Sequence, residues 1–483
     1  MTTDHASLFI GGTWIAPNST TRISVHSAST EELLGSVPEA NEADVDAAVT
    51  AARRAFDAPG GWSQWEPARR AEVLDLLADE FDKRSENIFQ AISAQNGMPI
   101  AIARQLEVLP SILFRYYAEL IRKQPIDEVR DGMLTKTVTV RRGPIGVVAA
   151  IVPWNVPQSL TATKLAPALA SGCTIVIKPS PETVLDAYLL ADAAEAAGVP
   201  EGVISIVPGG REIGAYLVSH PGVDKVAFTG STAGGRAVAI ACAGLLRPVS
   251  LELGGKSAAI ILDDADLDLG TVGQSLFAST LANNGQVCFL GTRILAPRNR
   301  YDEVVSTFAD LINSAPVGDS LDENTLIGPM ASKNQRDRVS GYIDRGAADG
   351  ARVVVGGSGT PAGLDRGWFV KPTLFADLDN NAAVAREEIF GPVLSVIAYD
   401  GDDDAIAIAN DSEYGLGGTV WSSDPERAMS VAGAVQTGTI GLNGYAPDPV
   451  GPFGGVKSSG IGREFGPEGL SAYQQLKSIY QFS

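Results

Sequence analysis

A cysteine in a polar, glycine-bearing break and a carboxylate at the end of an apolar run are the two residues of this chain best placed to do chemistry. Cys288 stands in Asn283-Asn284-Gly285-Gln286-Val287-Cys288-Phe289, at the end of a helical pattern, where a loop can present its thiol. Cys173 and Cys242 fall in strand and helix patterns among apolar neighbours, where a free cysteine behaves as a small hydrophobe. A thiol nucleophile needs a base, and the chain has only 3 histidines: His5, His26 and His220. His220 precedes Pro221 in a connecting stretch, so the base is sought among carboxylates. Glu252, in Val249-Ser250-Leu251-Glu252-Leu253-Gly254-Gly255-Lys256-Ser257, meets that need. Burying a carboxylate there is unfavourable unless it is paired or used, which leaves open both a structural ion pair and a general base with raised pKa. No Lys or Arg flanks Cys288, so its sequence neighbours offer nothing to lower the thiol pKa.

Phosphate and metal motifs are sparse. Gly255-Lys256-Ser257 mimics the end of a phosphate loop, but Ser250 stands where that loop needs glycine, which removes a nucleotide-hydrolysing function. No full G-x-G-x-x-G fingerprint occurs. Phe228-Thr229-Gly230-Ser231-Thr232 joins a strand to a helix, where free N–H groups suit a pyrophosphate and Gly230 permits close approach. Any strand-to-helix turn can carry Gly-Ser, so this motif decides little alone. The acidic runs Asp402-Asp403-Asp404 and Asp263-Asp264 lack calcium-loop spacing, and no metal site is assigned.

The elements that must position these residues follow from periodicity. Apolar β-rich runs at Gly146–Val152, Cys173–Lys178, Val203–Val207, Lys225–Thr229 and Val249–Leu253 alternate with stretches of helix length. The clearest of these is 182–197, preceded by Pro181 and closed by Gly198 and Pro200. Such alternation predicts a parallel sheet with helices on both faces. Helices over 43–56 and 67–84 would pack on it. A second alternation, with helices near 267–282, 301–314 and 333–349 and strands near 352–355 and 392–399, predicts a second α/β domain. The short alternating runs 136–140 and 478–481 could pair as an accessory β element. The open parallel sheet puts its ligand crevice beyond the carboxyl ends of its strands, where Glu252 falls.

Length and composition set the bounds. With 483 residues, 45% hydrophobic and 19% charged residues, the chain is a folded protein with two or three cores rather than a disordered one. A net charge of -20 works against nucleic acids and anionic membranes as partners. Apolar runs fall far short of the roughly 20 residues needed to span a bilayer. The amino end shows no secretory pattern and the 3 cysteines form no closed disulfide set, so a cytoplasmic location is expected.

Taken together, Pro153-Trp154-Asn155, Lys178-Pro179-Ser180, Phe228-Thr229-Gly230-Ser231, Leu251 to Lys256, Gly285-Gln286-Val287-Cys288, Glu387-Glu388-Ile389-Phe390-Gly391-Pro392 and Pro452-Phe453-Gly454-Gly455 resemble the aldehyde dehydrogenase superfamily, nearly along the whole chain. The resemblance implies oxidation of an aldehyde to a carboxylic acid with NAD, NADP being possible. Cys288 would attack the carbonyl, Asn155 and the Cys288 N–H would hold the oxyanion, and Glu252 would activate the water that hydrolyses the thioester. Lys178 would hold the adenosine ribose with Glu182 within reach of its 2′-hydroxyl, Trp154 would lie on the adenosine side of the cleft, Gly230 and Ser231 at the pyrophosphate, and Glu388 and Phe390 at the nicotinamide ribose, with Ile151, Pro153, Ser180, Gly209 and Leu253 also binding the cofactor.

The implied fold is α/β: two doubly wound parallel-sheet domains, nicotinamide-binding (1–125 and 143–253) and catalytic (254–450), plus a small β-rich oligomerisation arm (126–142 and 466–483). A homodimer or homotetramer is expected. NAD-preferring members often carry Glu on the third residue after the ribose lysine, whereas here that position is Pro181 and Glu182 follows. Semialdehyde-specific members often place Arg where Thr161, Ala162 and Thr163 stand. Val156, Leu160, Val287, Phe289 and Phe453 would form a mostly apolar funnel, pointing to an uncharged aliphatic or aromatic aldehyde. The alternatives are a CoA-acylating semialdehyde dehydrogenase, which the presence of Glu252 argues against, and an inactive structural homologue.

Overall fold

Short apolar runs bounded by turn residues become strands, and the stretches between them, with apolar residues at helical spacing, become helices. The computed structural model describes residues 3–482, so residues 1, 2 and 483 of the expected domain ranges lie outside the described residues. The larger sheet runs in the order Gly460–Ile461, Val249–Glu252, Lys225–Thr229, Val147–Ile151, Thr174–Lys178, Ile204–Ile206, Leu8–Ile10 and Thr13–Ile15. From Val249–Glu252 to Ile204–Ile206 its strands are parallel. Alternate residues explain why these runs are continuously apolar. Val148, Ala150, Ile175 and Ile177 enter one core, shared with the helices Pro157–Ser171 and Leu185–Ala196. Val147, Ala149, Ile151 and Val176 enter another, against Glu42–Asp57 and Arg211–Ser219.

Chain order runs outward from Val147–Ile151 through Thr174–Lys178 to Ile204–Ile206, then returns to the other edge of Val147–Ile151 with Lys225–Thr229. That reversal is a topological switch point, and ligands of open α/β sheets bind in the crevice beyond it.

A second sheet has the order Arg352–Val355, Thr373–Ala376, Val393–Tyr399, Arg293–Pro297, Ala258–Ile261, Gly418–Trp421 and Gly441–Leu442. All its pairs are parallel except the first. Gln474–Gln481 and Asp127–Asp131 flank Thr137–Pro144 in an antiparallel three-stranded sheet. Its pairs Ser478 with Val140 and Gln481 with Thr137 join the two short runs that the sequence suggested could meet. Before that strand, Gly466–Ser471 is helical and sends Leu470 into the core of the larger sheet.

Two helices depart from their predicted extents. The one expected over 182–197 is Leu185–Ala196, because the turn at Pro179 and Pro181 is closed by the Thr183 N–H donating to Ser180 O. The Gln95 side chain then starts the helix, accepting from the Leu185 N–H at 2.9 Å. The helix expected over 67–84 continues as Pro67–Asn96, burying Ile88, Phe89 and Ile92, and stops at Gly97 with φ +79°. Among the described residues no helix is long and apolar enough to cross a membrane, and no cluster of His, Cys, Asp and Glu is arranged to hold a metal.

Candidate active site

The strand Val147–Ile151 delivers Pro153, Trp154 and Asn155 to the switch-point crevice, and Pro157 then opens the helix Pro157–Ser171. Neighbouring amides hold this turn. Asn96 Nδ2 donates to the carbonyls of Trp154 and Asn155 at 3.0 and 3.1 Å, and Asn283 Nδ2 donates to Asn155 O at 2.9 Å. Asn155 in turn donates from Nδ2 to the Gln286 carbonyl at 3.0 Å, which ties it to the loop carrying Cys288.

That loop is a left-handed turn. Asn283, Asn284 and Gly285 all have positive φ, a conformation asparagine and glycine tolerate best. A Cβ at Gly285 would lie 2.1 Å from Gly391 O, so no side chain fits there. Asn284 Nδ2 donates to Gly97 O and Pro329 O, and the Ala331 N–H donates to Gln286 Oε1. Behind the loop, a Cβ at Gly255 would come within 2.4 Å of Cys288 O. The glycines after Glu252 thus let two backbones meet directly behind the thiol.

Cys288 is half-buried. Burial, followed by the carboxylates of Glu388 and Glu252, pushes its thiol upward, so the resting sulfur keeps its proton. Glu252 ends its strand 3% exposed. Burial first, and then the neighbouring carboxylate of Glu464, raises it well above the ordinary carboxylate range, against opposition from Lys164 and Arg463. Its two oxygens have no hydrogen-bond partner among the described residues, although the Gly455 amide lies near enough to favour the charged form. A carboxyl raised in this way holds a proton more tightly than an exposed one, which suits a general base. Beside it, Lys164 Nζ donates to Glu464 Oε1 and to Thr229 Oγ1, each at 2.7 Å, in a buried ion pair.

Cys288 and Asn155 line a cavity of about 810 Å³ together with Val156, Leu160, Val287, Phe289 and Phe453, so every residue expected in the apolar funnel is found there. Its aromatic wall is Phe289 against Tyr445, with ring centroids 4.6 Å apart, and against Phe453 at 6.3 Å. On the other side Cys288 borders a narrow gap lined by Glu388, Phe390 and Gly255.

The residues expected to hold the cofactor lie along the same crevice edge. Lys178 ends Thr174–Lys178 and donates to the carbonyls of Pro179 and Gly209 at 2.9 and 2.8 Å. An ammonium has three N–H bonds, so one stays available for a ribose hydroxyl. Ser180 Oγ donates to Glu182. Ser231 caps Thr232–Gly244 by accepting from the Gly234 N–H, leaving other N–H groups of the first turn for an anion. A Cβ at Gly230 would strike the Phe228 ring at 2.7 Å. The Trp154 and Phe390 rings meet edge to face at 5.4 Å. Glu388 Oε1 accepts from the Gly255 N–H at 3.0 Å, Leu253 packs over Gly235, and Pro153 and Ile151 lie at the end of the central strand. This set of donors, carboxylates and anion-binding amides fits a nicotinamide dinucleotide.

The chain matches the aldehyde dehydrogenase family model over residues 14–479. It is 57% identical over 481 residues to a geranial dehydrogenase of Castellaniella defragrans, covering 99% of each chain. Among solved structures, a Mycobacterium tuberculosis aldehyde dehydrogenase complexed with NAD+ superposes with a TM-score of 0.96 at 47% identity, covering 99% of both chains. A cysteine-to-alanine mutant of aldehyde dehydrogenase C from Pseudomonas syringae, complexed with NAD+ and octanal, gives 0.94 at 41% identity, covering 99% of this chain and 97% of that one. The chain belongs to the aldehyde dehydrogenase family.

As a member of that family it is an oxidoreductase that oxidises an aldehyde with a nicotinamide dinucleotide. Several of its site residues escaped the sequence reading. Lys164 is the one charged residue in the helix Pro157–Ser171, a signal that a buried partner must exist. Glu464 and Tyr445 sit in irregular segments with no periodicity to mark them. Of the three residues standing where some members carry Arg, Thr163 lines the cavity, whereas Thr161 is buried and donates to Pro157 O at 2.7 Å. His220 closes the helix Arg211–Ser219 and faces Asp46, outside the site.

Proposed function

We propose that this chain oxidises an uncharged, apolar aldehyde to its acid, with Cys288 as nucleophile, Asn155 as oxyanion donor and Glu252 as base. The observation that carries this reading is the position of Cys288, bordering the apolar cavity on one side and the gap beside Glu388 and Phe390 on the other. The Cys288 sulfur loses its proton to solvent and adds to the carbonyl carbon. The oxyanion accepts from the Cys288 N–H and from the second N–H of Asn155, whose first is occupied by Gln286 O. The dinucleotide would be held by Lys178 with Glu182 at the adenosine ribose, with Ser180 and Gly209 beside them, by Gly230 and Ser231 at the pyrophosphate and by Glu388 and Phe390 at the second ribose, and its nicotinamide ring would supply the hydride acceptor. A thioester on Cys288 remains. Glu252 then removes a proton from water, which attacks the acyl carbon and releases the sulfur.

The cavity wall supports an apolar substrate, and the two relatives named for geranial and crystallised with octanal agree with it. A charged tail would enter without a partner, which is strongly unfavourable. A panel of aldehydes read by NADH absorbance, without CoA, tests this. Eight- to ten-carbon uncharged aldehydes are expected to exceed carboxylate semialdehydes in kcat/KM by about a hundredfold. Preference for the semialdehyde, or dependence on CoA, would reject it.

The same reading takes 1–125 with 143–253 as the cofactor domain, 254–450 as the catalytic domain, and 126–142 with 466–483 as the arm. Its outer strands leave Val129, Leu476, Ile479 and Tyr480 exposed, which supports assembly through them as a cytoplasmic homodimer or homotetramer. Sedimentation velocity is expected to show no monomer at micromolar concentration, and a monomer there removes the assembly claim.

A further inference from the structure

Asn155 is followed by Val156 and then by the helix Pro157–Ser171, whose first turn is gripped by two buried carboxyl groups. Glu107, between the helices Ile100–Leu106 and Leu109–Lys123, accepts from the Ser159 N–H at 2.6 Å, and the Ser159 hydroxyl donates to Leu106 O at 2.7 Å. On the other side Asp186 accepts from Gln158 Nε2 at 2.5 Å and from Gln95 Nε2 at 3.0 Å. Neither carboxyl is exposed, and no cation pairs with either among the described residues. Glu107 Oε1 and Gln158 Oε1 are buried acceptors without a donor. A proton kept on Glu107 turns one of these acceptors into a donor, and burial, pushing this carboxyl up to about 8, keeps it there at neutral pH. Leu106 and Val108, on either side of Glu107, line the same apolar cavity as Asn155.

We propose that Glu107 is a positioning residue for the oxyanion step: as an uncharged acid it ties the cavity wall at Leu106 and Val108 to the helix start that follows Asn155, and so sets where the second N–H of Asn155 points. This rests on the oxyanion role assigned above to Asn155. Glu107 is fully buried and acts only through the backbone it holds. The Asn155 carbonyl is fixed by Asn96 and Asn283, and the grip on Ser159 fixes the other end of the same turn. A donor helps only within hydrogen-bond reach of the charge that forms, so a small displacement lowers the rate while leaving ground-state binding in place.

A double-variant cycle on the full-length protein, with octanal and NAD+ as probes, tests the assignment. Asn155→Ala is expected to lower kcat by about 10²- to 10³-fold, the scale for one lost oxyanion donor. Glu107→Ala should lower kcat by about ten- to a hundredfold, with KM for octanal and the dissociation constant of NAD+ within about threefold of wild type. Added to Asn155→Ala, it should cost less than about twofold more, because its effect passes through a side chain already gone. Glu107→Gln, which offers an N–H where the acid offers its O–H, should recover most of the rate. Glu107→Asp, one methylene shorter, carries the same cycle if the alanine variant fails to fold. Losses that multiply in the double variant, a lowered melting temperature with unchanged kcat, or a Gln variant as slow as Ala would each overturn the proposal. Asn155→Ala turning over at the wild-type rate would overturn the oxyanion reading first and this one with it.

Discussion

Cys288→Ala is expected to cut NADH formation by about 10⁴-fold or more, the scale of losses seen when a covalent nucleophile is removed. The same variant should bind NAD+ and melt close to the wild-type temperature. The reason lies in how the loop is held. Its left-handed turn is fixed by Asn284 on Gly97 and Pro329, by Gln286 on Ala331 and by Asn155 on Gln286, and none of these bonds uses the sulfur. The test pairs stopped-flow absorbance with a thermal melt. Wild-type turnover in this variant would end the covalent route, whereas a collapsed melt would show that the thiol holds the loop after all.

Glu252→Gln is expected to separate the two half-reactions. A first burst of NADH should survive, because hydride loss precedes the hydrolysis that needs the base, while steady turnover falls by about 10²- to 10⁴-fold. Loss of the burst would assign Glu252 to thiol deprotonation as its indispensable role. The pH dependence has a definite sign. Burial and Glu464 raise this carboxyl above its ordinary 4.5, and the base works only without its proton. Wild-type steady turnover must therefore fall as pH drops through the raised value, and the limb must vanish in the Gln variant. Stability runs the other way. A carboxyl raised on folding favours the protonated native state, so its contribution fades as pH climbs from the unfolded value through the folded one. At neutral pH and above, Glu252→Gln should melt higher than the wild type, a gain in stability obtained by losing function.

The parallel sheets were legible because their strands are buried on both faces and their chemistry is short, apolar and punctuated. Lys225–Thr229 falls where the pattern put it, and Val393–Tyr399 within one residue of its expected start. The start of Leu185–Ala196 was not legible, since the residue that caps it, Gln95, lies far away in sequence. The small sheet of Thr3–Asp4, Leu33–Pro38 and Arg22–His26 was likewise missed, its strands being short and half-exposed. At the site, Cys288, Asn155, Val287 and Phe453 could be named because each sits in a motif, and Val156, Leu160 and Phe289 because they follow Asn155 or Cys288 closely in sequence. The pair Lys164 and Glu464 could not, because their partnership exists only once the helix Pro157–Ser171 and the chain after Ile461 are brought together.

The strand Gly460–Ile461 has a mechanical corollary. It joins the edge of the larger sheet beside Leu251 and Glu252, the chain next supplies Glu464, and only a short helix and a turn separate that residue from Gln474–Gln481. Whatever grips the outermost ribbon pulls on a tether whose inner anchor is the wall of the reaction chamber. Shortening Gln474–Gln481 is therefore expected to loosen the helix Gly466–Ser471 first and, through it, the carboxylate of Glu464.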